Sequence, residues 1–214
     1  TTVAEKSFSG PLFPEIQAAF PGQSVIDRTT MNAWEENDKI VADVMEYAAP
    51  PMFPDPDGSM GNRAGARLVR WTFDLADNSN TIKRMPIDDM VGDFPRLDER
   101  RAGLPYRHGW FAGISHGNVD LAVFDCISHV DVVSQRRVDY MFKPGDHPGE
   151  PVFVPRSADA EEGDGWLLTV VYRGETDSSD LAIFDAQNIE AGPIALAKVP
   201  RRVPFGFHGN WRPA

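Results

Sequence analysis

The chain has a single cysteine, Cys126, in 214 residues. One thiol cannot close an internal disulfide, so a disulfide-stapled secreted domain is excluded. The scarcity points to a reducing compartment, and we expect a cytoplasmic protein. Basic residues are also few. Lys and Arg total 21 against 32 Asp and Glu, leaving a formal charge of −11. A nucleic-acid groove displaces counterions with clustered Lys and Arg, and no such cluster exists here. The same deficit argues against an anionic membrane surface. No run of about 18 apolar residues is present, so the sequence offers no transmembrane segment. The opening TTVAEKSFSG has neither the basic nor the apolar region of a signal peptide.

What is abundant is punctuation. Eighteen glycines and eighteen prolines make up about a sixth of the chain, above the usual ~12%. Such density predicts many turns and no long helices. Period-two patterns lie between the turns. Residues 39–47 (KIVADVMEY) and 67–75 (RLVRWTFDL) alternate in side-chain character. Residues 131–142 read as one alternating strand, and 166–172 (WLLTVVY), 180–184 and 193–199 repeat the signature. Connectors at 77–80, 145–149 and 173–177 are rich in Gly, Asp and Asn, which accept turn backbone angles. Short helical turns are expected only at 14–20 and 161–164, and 50–65 reads as a long irregular loop. These features predict an all-β sandwich, barrel or propeller in one unit spanning 1–214.

Five histidines are present: His108, His116, His129, His147 and His208. None forms an i, i+4 pair, and no Cys-x-x-Cys exists, so a metal site would have to be assembled from separate strands. His208 stands apart from the others. In PRRVPFGFHGNW (200–211), Phe205 and Phe207 would give it an apolar shell, and Gly206 and Gly209 would let the backbone approach. Desolvation favours the neutral imidazole that binds metals. Glu150 opens GEPVFVPR (149–156); it reads either as a solvated strand start or as a carboxylate that orients an imidazole. NAWEE (32–36) and DFPR (93–96) combine acid and aromatic side chains, with Pro in the second, and read as turns. Cys126 has no base beside it and reads as a small buried residue.

Five segments then come together in order: MNAWEEND (31–38), ARLVRWTFDL (66–75), GDFPRLDERRAGLPYRHGW (92–110), GEPVFVPR with AEEGDGWLLTVVY (149–172), and FDAQNIEAGPIALAKVPRRVPFGFHGNW (184–211). Their combination resembles the carotenoid cleavage oxygenases, most closely the bacterial lignostilbene and stilbene dioxygenase branch. The resemblance implies a seven-bladed β-propeller, with this chain supplying roughly the last half of the blades. It also implies Fe(II) held by four histidines, three of them oriented by glutamates. That iron uses O2 to cleave the alkene of a stilbene-like or apocarotenoid substrate into two carbonyl products. Small apolar or phenolic alkenes and O2 are therefore the expected partners.

Carried over residue by residue, the resemblance makes His208 an iron ligand and Glu150 a carboxylate that orients one. Asp93 takes the place of a second orienting glutamate, one methylene shorter. A third ligand would fall three residues before Asn32, where this sequence has Thr29. Threonine is a poor substitute for imidazole on Fe(II). Phe205, Phe207 and Trp34 are expected to line or support the substrate pocket. The two remaining ligands belong to N-terminal blades, so the isolated chain is expected to be inactive. Its open sheet edges are expected to pair with those blades or with another copy. The competing expectation is a non-catalytic propeller scaffold that has lost iron, favoured by Thr29 and Asp93. An unrelated propeller lectin or adaptor would leave PFGFHGNW and GEPVFVPR unexplained.

Overall fold

The computed structural model describes residues 29–47, 65–76, 81–115 and 123–212. The expected helical turn at 14–20, nearly all of the 50–65 loop, the 77–80 turn and His116 lie outside these residues.

Alternating, β-branched and aromatic segments separated by tight turns fold as successive antiparallel strands. The first sheet contains β1 (Thr29–Glu36), β2 (Lys39–Glu46), β3 (Arg67–Asp74) and β4 (Ile82–Pro86), in that spatial order. The second contains β5 (Val91–Leu97), β6 (His108–Ile114), β7 (Cys126–Asp131) and β8 (Arg136–Met141), again in sequence order. The third runs β10 (Val152–Pro155), β11 (Gly165–Arg173), β12 (Ser178–Asp185), β13 (Ala195–Val199). A two-residue strand, β9 (His147–Pro148), pairs with β11 beside β10. Four-stranded meanders packed face to face are the construction of consecutive propeller blades.

Stacking is driven by side chains on both faces of the middle sheet. Trp110 and Phe111 are neighbours on β6, and both are fully buried. Alternation sends them to opposite faces. Phe111 joins Met31, Met45 and Leu68 of the first sheet. Trp110 joins Phe153, Leu167 and Phe184 of the third. It lies nearly parallel to Phe153 at 4.9 Å, and its indole N–H donates to the Ala186 carbonyl at 2.8 Å.

Polar pins set the registry between sheets. The Asn32 amide donates to the carbonyls of Arg101 and Leu104 and accepts from the Gly103 N–H. Asp43, fully buried, takes two bonds from Arg70 and one from the Tyr106 hydroxyl. Arg100 donates to the carbonyls of Ser157, Ala158 and Ala160, tying the second sheet to the loop before β11.

Three readings of local structure are corrected. Residues 131–142 are not one strand. The Asp131 carboxylate accepts the N–H groups of Val133 and Ser134, each at 3.0 Å, and turns the chain between β7 and β8. Residues 32–36 lie within β1, and 93–96 lie within β5. β5 carries an extra residue between Asp93 and Arg96, where Phe94 adopts a positive φ of 56°. Such a bulge re-aims the side chains that follow it.

Candidate metal centre

Glu150 lies in the three-residue link between β9 and β10, on a backbone held from both sides. The Gly149 N–H donates to Val170 O at 2.8 Å, and the Thr169 hydroxyl donates to Gly149 O at 3.0 Å. The glutamate side chain is only 4% exposed. A carboxylate so deeply buried needs donors around it. Two of them come from the segment after β13. His208 Nδ1 lies 3.1 Å from Glu150 Oε1, and the Gly209 N–H donates to Oε2 at 2.7 Å. The tail is also anchored where the Val203 N–H donates to the Ser179 hydroxyl at 2.9 Å.

This pairing fixes the chemistry of the ring. A carboxylate oxygen accepts, so Nδ1 carries the hydrogen, and in the neutral form of the ring Nε2 keeps its lone pair. The His208 side chain is 64% exposed, and the Phe94 ring meets it edge-on at 5.6 Å. A neutral imidazole with a carboxylate behind it is a suitable ligand for Fe(II), and the carboxylate raises its basicity. His208 and Glu150 therefore fit one coordination position. Among the described residues, no group of three or more His, Cys, Asp and Glu is placed to hold a metal ion.

The Asp93 carboxylate is engaged differently. One oxygen accepts the Phe94 N–H at 2.7 Å, and the other accepts the Tyr47 hydroxyl. Tyr47 follows β2 directly. Met45, two residues earlier, pairs with Thr29 at the start of β1. The backbone register thus brings the Thr29 end of β1 to the same end of the sheet as the Tyr47–Asp93 bond.

Phe205 and Phe207 wall a cavity of about 550 Å³ whose lining includes Phe94, Phe124, His147, Glu150, Leu168, Val170 and His208. Trp34 is not part of this lining. It sits in the core between the first two sheets, edge-on to Tyr106 at 5.8 Å with Arg70 over its face at 5.1 Å. Its position in β1 sends it inward, beside a buried ion pair, so it supports the fold and not the cavity.

Two other histidines pair away from this site. His108 Nδ1 lies 3.0 Å from His129 Nε2, and His129 stacks on Trp110 at 5.3 Å. Burial, followed by the neighbouring His108, pushes the His129 imidazole down to about 4. Burial also lowers His108. Cys126 is fully buried, and its thiol is pushed up to about 12, chiefly by burial, which leaves it inert as a nucleophile.

Residues 22–213 match the family described as retinal pigment epithelial membrane protein. The chain belongs to this family of carotenoid oxygenases. It is 38% identical over 197 residues to lignostilbene-alpha,beta-dioxygenase isozyme III of Sphingomonas paucimobilis, covering 86% of this chain and 40% of that protein. Identity to isoeugenol monooxygenase of Pseudomonas nitroreducens is also 38%, over 196 residues, with the same coverage of 86% and 40%. The crystal structure of Pseudomonas brassicacearum lignostilbene dioxygenase superimposes with a TM-score of 0.81 at 29% identity. That superposition covers 89% of this chain and 43% of the other. The three stacked sheets are therefore blades of the carotenoid oxygenase propeller. The chain spans about 40% of the length of the curated relatives it matches.

Among the residues of the site, Arg96 and Tyr47 drew no attention in the sequence. Arg96 lies inside the DFPR motif, but apart from Glu99 its partners come from residues 54 and more positions away. Spacing within a motif cannot reveal such a contact.

Proposed function

We propose that the protein is a non-haem Fe(II), O2-dependent dioxygenase that cleaves the alkene of a stilbene-like, phenylpropene or apocarotenoid substrate. The observation that carries this reading is the His208–Glu150 bond, which joins the FGFHG and GEPVFVPR motifs at 3.1 Å. His208 would hold the iron through Nε2. Glu150 would keep the ring in the required tautomer and orientation. The bound iron would supply O2 activation, with one oxygen atom ending in each carbonyl product. Phe205, Phe207 and Phe94 would exclude water and hold an apolar or phenolic alkene. Two further ligands would come from blades that this chain does not span, and the third position is held by Thr29.

Among the described residues, no helix is long and apolar enough to cross a membrane. The single buried thiol suits a cytoplasmic location.

One observation favours the non-catalytic scaffold. The Asp93 carboxylate is committed to a tyrosine hydroxyl and a backbone amide, and the ligand position paired with it in the resemblance is Thr29. The test that separates the readings is product formation by the full-length protein, supplied with excess Fe(II) and a 4-hydroxystilbene in air. Two aldehydes, each carrying one atom from labelled O2, are expected. Absence of aldehydes from an iron-loaded sample favours the scaffold.

A further inference from the structure

Arg96 makes an unusual set of contacts. One Nη donates to Glu150 Oε1 at 3.4 Å and to the Gly209 carbonyl at 3.2 Å. The other donates to Asn210 Oδ1 at 3.3 Å and to Glu99 Oε1 at 2.6 Å. A single guanidinium therefore bridges the second sheet, the buried carboxylate and the tail that carries His208. Its side chain is 17% exposed; the bond to Glu150 is part-buried, while those to Gly209, Asn210 and Glu99 face solvent.

The fold aims it there. Arg96 follows the bulge in β5, where the positive φ of Phe94 turns the strand. Glu99, one turn further on, holds the guanidinium from the solvent side. Glu150 is buried and would pay a large desolvation cost without a cation nearby. Arg96 offsets that cost at the same oxygen that accepts from His208 Nδ1. The planar fork also reaches two tail atoms together, which a lysine ammonium cannot do.

We propose that Arg96 is a positioning residue: it seats the His208–Asn210 segment on Glu150 and so sets where the His208 ring points. Its importance for metal rests on the proposed dioxygenase reading, but the seat itself is defined without metal.

The experiment is hydrogen–deuterium exchange on the full-length protein, followed segment by segment. In Arg96→Gln, exchange across 205–212 should rise roughly tenfold to a hundredfold, the loss expected for hydrogen bonds to a charged group. Exchange in β6, β7 and β11 should stay unchanged. Arg96→Lys keeps the charge without the fork and should recover part of the protection. Asn210→Ala removes the Arg96 contact, together with the acceptor of the Trp211 N–H, and leaves the buried ion pair intact. It should raise exchange in the same segment by about two- to fivefold.

Unchanged exchange across 205–212 in Arg96→Gln overturns the proposal. A uniform rise across all strands also overturns it, because Arg96 would then support the fold at large. Failure of the dioxygenase reading would appear separately, as a wild-type protein that takes up no iron.

Discussion

His208 and Glu150 stand 58 residues apart in sequence and 3.1 Å apart in space. Each motif was legible on its own: a histidine among aromatics and glycines, and a glutamate ahead of an apolar strand. Their pairing came from the resemblance and not from spacing. Arg96 was not legible, because its three sets of partners arrive from different parts of the chain. Trp34 was expected from the resemblance to line or support the pocket; strand alternation buries it beside Arg70 and Tyr106. Glu150→Gln keeps an acceptor for the ring but loses the charge, and its amide nitrogen cannot accept the Gly209 N–H. We expect it to weaken Fe(II) binding about 10- to 100-fold, the usual cost of losing an orienting carboxylate. Fe(II) titration of the full-length variant against wild type checks this. Equal affinities would remove Glu150 from the site.

β6 shows why some elements escaped the sequence reading. HGWFAGI is buried on both faces, so it lacks the apolar–polar alternation that marks a half-exposed strand. β2, β3 and β12 kept enough alternation, and β11 a β-branched and aromatic run, to be placed within a residue or two. The 131–142 segment failed for the opposite reason. Its alternation continues through a turn that only the Asp131 side chain creates. Burial on both faces also makes β6 the strand that packs against both neighbouring sheets. Trp110→Ala should therefore cost about 3–5 kcal/mol, the range for deleting a fully buried aromatic. The removed ring also leaves the Ala186 carbonyl without its indole donor. Val133→Ala, in an exposed turn, should stay within about 0.5 kcal/mol. Urea unfolding of both variants measures the contrast, and similar midpoints would contradict the packing assigned to β6.

Across the whole molecule, the His108–His129 pair sits at the junction of the second and third sheets, where His129 stacks on Trp110 and Trp110 on Phe153. His129 is held at about 4 in the folded state, below the ordinary value of 6.5. The unfolded chain therefore binds the extra proton first as pH falls. The stability contributed by neutral His129 is complete above pH 6.5 and is lost between there and about 4, up to roughly 3 kcal/mol. Urea midpoints measured from pH 7.5 to 4 should fall across that window, and His129→Gln should flatten the decline. An unchanged slope in the variant would assign the pH dependence to other groups.

At the same scale, iron content per chain of the full-length protein tests the central claim most directly. The account predicts occupancy well below one with Thr29 in place, a rise in Thr29→His, and a fall to background in His208→Ala. Stoichiometric iron with Thr29 in place, or iron indifferent to His208→Ala, would contradict it.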